Sequence, residues 1–262
     1  MSSIHPVTVS RHGNQRWQRY SNYAFAAQDA VCPLVAQELP RALMSLPIGF
    51  VATAEGFAPV AVLGLQAGQN LFVAPDGRWL GDYVPATYRG YPFGLANTED
   101  GQQVLCIDEA SGLLRDGEGE PFFAEAGNPS KPLADVLDFL TQVASNRQAT
   151  QRACAMLQAH GLLQPWPIKV LGEKGEQDVT GLFRIDEAAL NSLPAVAFMA
   201  VRDAGALSLA YCQLLSMQHL VQLGELARAH AQAVQQKAAQ SPSAELDLAF
   251  LNQSGTFSFG SL

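Results

Sequence analysis

Two apolar runs, Pro47 to Ala52 and Pro59 to Gly64, are separated by a turn around Glu55-Gly56, and they predict two strands apolar enough to lie centrally in a sheet. Asn70 to Val73 and Arg78 to Leu80 then predict a hairpin closed by Ala74-Pro75-Asp76-Gly77, where proline presets one turn dihedral and glycine relieves another. A strand is predicted at Val104 to Ile107 after the turn Asn97 to Gly101, with a short one at Pro121 to Phe123. The expected arrangement over 47–123 is an antiparallel meander of about five strands.

The period changes at Ser130. Leu133, Val136, Leu137, Leu140 and Val143 recur at helical spacing, with Ser130 placed to cap and Pro132 in the first turn. A second helix is predicted from Arg147 to His160, stopping at Gly161. Strands follow at Pro165 to Leu171 and Gly181 to Ile185, and Asp186 is placed to cap a short helix from Glu187 to Leu193. The longest helix is expected last, from about Gly205 to Gln240, with Leu207, Tyr211, Leu214, Leu215, Val221, Leu223 and Leu226 as its apolar stripe. Its second half is rich in alanine and glutamine, which predicts a face turned to solvent or to a partner, including a second copy of the chain. Leu246 to Leu251 and Thr256 to Phe259 predict a small hairpin or edge strand. The fold class expected is α+β, an antiparallel sheet packed with helices and a long C-terminal helix, in a single domain with an arm at 1–29 and a tail at 241–262.

Composition narrows the function classes. Of the 262 residues 48% are hydrophobic and 15% charged, enough apolar material for a sizeable core. A net charge of −8 without a basic stripe argues against nucleic acid and against an anionic membrane surface. The longest apolar stretch, Leu193 to Val201, contains Pro194 and is too short to span a bilayer. The first residues lack a secretory pattern, so a cytoplasmic location is expected. Cys32, Cys106, Cys154 and Cys212 are far apart among apolar neighbours, which predicts buried free thiols rather than a metal site.

Candidate chemistry concentrates in Gly64 to Phe93, the stretch densest in aromatics, glycines and prolines. Two prolines, Pro85 and Pro92, predict an extended or turning backbone that displays Trp79, Tyr83, Tyr88, Arg89 and Tyr91. Arg89 between tyrosines suits two-point contact with a carboxylate or phosphate; the alternative is an arginine stacked on tyrosine and paired with an acid such as Asp82. Arg11, His12, Arg16, Trp17, Arg19, Tyr20 and Tyr23 form a basic and aromatic cluster in the arm, either a clamp for an acidic ligand or aromatics docked on the body. Ile107-Asp108-Glu109 and Ile185-Asp186-Glu187 each end a predicted strand. Asp108 and Asp186 could divide acid and base roles or hold a divalent cation if they met; otherwise they are caps. His160 and His219 have no second ligand at metal spacing, and no phosphate loop, dinucleotide fingerprint or nucleophile elbow is present.

Asn70-Leu-Phe-Val, Gly77-Arg-Trp, Tyr83-Val-Pro-Ala, Tyr91-Pro-Phe, Cys106-Ile-Asp-Glu and Gly181-Leu-Phe-Arg-Ile-Asp-Glu together resemble the bacterial SapC family, as does the ending Asp247-Leu-Ala-Phe-Leu-Asn-Gln-Ser-Gly-Thr. The resemblance runs from about Pro47 to Phe259. It implies an association with surface layers or peptide handling, and an accessory role near flavin-dependent halogenase-like and cupin-like proteins. It carries over no catalytic residue and no cofactor. At Gln213, after Cys212 in the last helix, relatives often carry histidine. Three functions are therefore expected in turn: a non-catalytic binding module for a peptide or small metabolite at Trp79, Tyr83, Tyr88, Arg89 and Tyr91; an enzyme using Asp108 or Asp186 with Arg89; and a surface-layer or assembly protein.

Overall fold

A computed structural model of the chain describes residues 3–240 apart from 99, 173 and 174. Contacts divide the chain into one unit of residues 1–227 and a second of residues 228–262. The fold is α+β with antiparallel sheets, as the alternation of apolar runs and helical periods predicts. Its largest sheet has five strands in the order Leu163–Pro165, Leu182–Ile185, Ile48–Thr53, Gly56–Val62, Val31–Pro33. Phe50 is the register point, opposite Pro59 on one side and Phe183 on the other. Ile48, Phe50, Val60, Ala61 and Val62 are all buried, because both faces of these central strands are covered.

The single meander expected over 47–123 is not what forms. Gln103–Asp108 pairs instead with Phe93–Asn97 and Ile4–Pro6 in a separate three-stranded sheet, and Arg16–Trp17 pairs with Leu114–Arg115 and Glu120–Pro121 in another. The arm at 1–29 thus supplies strands to two sheets. The hairpin at 70–80 is reduced to one bridge, Val73 with Trp79. The Ala74 and Leu80 N–H groups donate across it to the Arg78 and Phe72 carbonyls at 2.8 Å, and buried Asn70 anchors its start by accepting from the Phe72 N–H and donating to the Ala26 carbonyl, each at 3.0 Å.

Ser130 caps a single helix, Lys131–Ala159, of 29 residues, accepting from the Leu133 N–H at 3.3 Å. The two helices expected there are one because no glycine or proline falls between Leu133 and His160; the polar stretch near Asn146 interrupts the apolar stripe without breaking the backbone. This helix, not the C-terminal one, is the longest. The C-terminal run is Ala206–Ser216, a 3₁₀ turn at Met217–His219, then Leu220–Gln240. The apolar stretch beginning at Leu193 contributes another helix, Ala195–Asp203, after Pro194 at its N-cap position. Among the described residues no single helix is long and apolar enough to cross a membrane. The hairpin expected at 246–259 lies outside the described residues.

The main core gathers Leu46, Ile48, Phe50, Leu63, Phe72 and Leu157 between the five-stranded sheet and the helices. A smaller core joins Trp17, Phe93, Ile107, Phe122 and Leu133. Each such side chain contributes about 1.5–3 kcal/mol on burial. Gln213 is fully buried between these layers: its Oε1 accepts from the Ile185 N–H at 2.9 Å and its Nε2 donates to the Ile48 carbonyl at 3.3 Å. Ser216 Oγ accepts from the Ile48 N–H at 2.9 Å. Both side chains satisfy backbone groups that the sheet leaves open, so the Gln213 position is a structural brace. All four cysteines are free and buried.

Candidate functional site

The segment from Trp79 to Phe93 wraps onto the segment from Tyr20 to Phe25, ring against ring. Phe25 stacks on Tyr91 with centroids 3.9 Å apart and planes within 8°. Tyr20 meets Tyr23 and Phe25 edge-on at 5.3 and 5.2 Å, and Trp79 lies between Phe72 and Tyr88 at 5.6 and 5.8 Å. Such pairs add about 0.5–1.5 kcal/mol each beyond their buried area, which holds irregular backbone in one arrangement. The Trp79 indole N–H donates to the Tyr83 carbonyl at 2.9 Å, and the buried Tyr88 hydroxyl donates to Asp29 at 3.0 Å.

Residues Ala86–Arg89 form one helical turn, where two flanking prolines had predicted none. Pro85 is at the N-cap position, where a fixed φ and a missing N–H carry little cost, so the prolines bracket the turn rather than forbid it. The turn carries Arg89 outward. Its Nη2 donates to the Tyr83 hydroxyl at 3.2 Å, and its guanidinium lies 5.7 Å from the Tyr83 ring centroid and 5.1 Å from that of Phe139. Among the described residues no carboxylate, Asp82 included, is within ion-pairing distance of it.

Arg89 and Tyr91 line a concavity of about 260 Å³, together with Trp17, Arg19, Tyr20 and Phe93. Arg19 reaches it from the arm, over the Trp17 ring at 5.7 Å and paired with Glu120 at 3.2 Å. Trp17 is buried, and among the described residues its indole N–H has no hydrogen-bond partner. Burial pushes the Tyr20 and Tyr83 hydroxyls up to about 12, and pushes Tyr88 up as well, so all three remain protonated donors at neutral pH. Behind Arg89, burial raises the carboxyl of Glu38 above its ordinary value, against the opposing pull of the Ala86 N–H and of Arg89.

The residues expected at the site therefore separate into three groups. Arg89 and Tyr91 line the concavity. Tyr83 holds Arg89 from the side, while Trp79 and Tyr88 pack behind as the main core's aromatic wall. Asp108 and Asp186 stand apart from each other on different sheets, and neither is hydrogen-bonded or ion-paired to Arg89. Asp108 accepts from the Ala110 N–H at 3.1 Å and from the Ser3 hydroxyl, whereas Asp186 accepts from the Ala189 N–H at 3.0 Å. Both complete the exposed N–H groups of a helical turn that follows a strand. Phe139 and Glu38 were not legible as site residues: each is an ordinary apolar or acidic position until the fold brings it to Arg89.

A second titratable cluster surrounds Glu109. Arg11 grips it through two hydrogen bonds, one of 2.8 Å, and holds its carboxyl down at about 2. His12 is fully buried against Phe122, with Nε2 3.2 Å from Glu109 but poorly aligned, and Nδ1 accepts from the Thr8 N–H at 3.3 Å. Burial lowers His12 below its ordinary value, which keeps the ring neutral. Among the described residues no group of histidine, cysteine and acidic side chains is placed to hold a metal ion.

No curated protein and no solved structure matches the chain. A family model described as SapC matches residues 7–223, a span that takes in both rows of aromatic rings, the turn bearing Arg89 and the brace at Gln213. By that match the chain belongs to the SapC family.

Proposed function

We propose that this protein is a non-catalytic binding or accessory module that captures a peptide or small metabolite through a carboxylate, in the concavity between Arg19 and Arg89. One observation carries the reading: Arg89 is held by two rings and a tyrosine hydroxyl, with no carboxylate partner among the described residues. A guanidinium so placed keeps its fork of donors for an incoming anion, and its planar geometry favours two-point contact. The aromatic walls add apolar area for the rest of the ligand.

The test is calorimetric titration and thermal-shift measurement with benzoate and with short peptides bearing free or amidated C-termini. Arg89→Ala is expected to weaken carboxylate binding by about 10–100-fold, the loss of a charge-assisted contact of about 1.5–3 kcal/mol, with an unchanged circular-dichroism spectrum. Equal binding by Arg89→Ala and the parent would place the site elsewhere.

A second reading, self-association through the C-terminal helices, is supported by Leu215 and Val221, which are 60% and 69% exposed. Light scattering that shows only monomer across a wide concentration range would remove it.

A further inference from the structure

Glu38 lies behind Arg89, and the Tyr83 hydroxyl that Arg89 contacts faces it as well. Its side chain, 5% exposed, accepts from the Ala86 N–H at 3.2 Å and faces the Tyr83 hydroxyl, whose oxygen accepts from Arg89 Nη2 at 3.2 Å. Ala86 and Arg89 begin and end the same helical turn, so the carboxylate fixes the start of the element whose end presents the guanidinium. The charged and titratable groups facing Glu38 are Arg89, Tyr83 and, from the strand Val31–Pro33, Cys32. The helix Lys131–Ala159 meets this region through uncharged groups, Thr150 on the Ala36 N–H and Asn146 on the Gln37 N–H.

We propose that Glu38 is a positioning residue that couples capture of a carboxylate at Arg89 to uptake of one proton. This rests on the reading of Arg89 as the anion-binding group. While Glu38 is ionised it already neutralises part of the Arg89 charge through Tyr83. An arriving carboxylate adds a second negative charge to the same guanidinium, and two like charges sharing one site favour protonation of the buried one. The proton comes from solvent and forms the O–H bond on Glu38; the ligand remains ionised. By linkage, the protonated form of Glu38 binds the anion more tightly. The desolvation that already raises Glu38 acts in the same direction.

The experiment titrates benzoate into the full chain by calorimetry, in two buffers of unlike ionisation enthalpy, from about pH 5 to about pH 8, where benzoate stays ionised. Affinity is expected to fall as pH rises through the Glu38 titration, by up to about tenfold per pH unit, with uptake of up to one proton per benzoate bound. Glu38→Gln, which keeps the acceptor for Ala86 without the charge, is expected to bind at least as tightly and to lose the pH dependence. Should that variant fail to fold, proton uptake by the parent chain decides alone. Benzoate binding that is lost in Arg89→Ala yet takes up no proton and is flat with pH overturns the coupling while leaving the anion site standing. Absence of binding at every pH overturns both.

Discussion

The tripeptide Ile-Asp-Glu occurs twice, at 107–109 and at 185–187, and its two copies are alike up to the second residue and unlike at the third. Both isoleucines lie within the last two positions of a strand and are buried, Ile107 in the smaller core and Ile185 in the larger. Asp108 and Asp186 share nearly one backbone conformation, with φ of −81° and −82° and ψ of 101° and 97°, and each accepts from an N–H of the turn it opens. Glu187 faces solvent. Glu109, by contrast, is held by Arg11 and flanked by His12 and His5, residues about a hundred positions earlier in the chain. A strand end followed by a cap is a contract among neighbours, so the same three residues repeat it. Charge environment is set by whatever else the fold delivers, so the same glutamate is an ion-pair hub in one corner and a surface residue in the other.

Substitution at matched positions tests how far that parallel extends. The largest effect is expected from Ile107→Ala and Ile185→Ala, each costing about 2–5 kcal/mol in urea unfolding because a cavity adds to the lost transfer energy. A cost under about 1 kcal/mol at either position would show that its corner relaxes around the gap and that the two are not equivalent. Asp108→Ala and Asp186→Ala are expected to cost about 1 kcal/mol each, and Asp→Asn much less, since asparagine keeps the capping oxygen. A larger loss at Asp108 would measure the added bond from Ser3, which the other corner lacks.

The smallest effect, and the sharpest contrast, lies at the glutamates. Glu109 is held at about 2, below the ordinary carboxylate value, so its stabilisation is in place above that ordinary value and is lost as pH falls through about 2. Glu109→Gln should therefore melt at a lower temperature than the parent at neutral pH, with the gap closing toward about pH 2. Glu187→Gln should leave the melting temperature unchanged at neutral pH. A pH-independent gap for Glu109→Gln would mean that the Arg11 contact contributes through packing rather than charge.

The same division between local and delivered structure runs through the candidate site. Arg89 was legible in the sequence because an arginine between tyrosines, in a proline-bracketed stretch, has few neighbours to neutralise it. Trp17, Arg19 and Tyr20 were legible as a basic and aromatic cluster, though not as the opposite wall of the same concavity. Glu38 was not legible, since an acid in Val35-Ala-Gln-Glu-Leu reads as an exposed helical position until the aromatic stretch closes over it.

What the sequence by itself determined are features governed by contacts within about four residues: the Ser130 cap, the stop at Gly161, the Asp186 cap, the turn at Pro75-Asp76-Gly77 and the existence of two apolar strands, read at 47–52 and 59–64 and formed at 48–53 and 56–62. Hydrogen bonds and periodicity at that range belong to each segment alone. Only the tertiary structure decided that Ile4–Pro6 completes a sheet with Gln103–Asp108, that Gln213 braces Ile48 to Ile185, and that Arg89 and Arg19 face one concavity. Each of those brings together segments separated by many residues, or depends on burial that no short segment can create. Their energies come from shared desolvation and packing, which exist only once the chain has closed on itself.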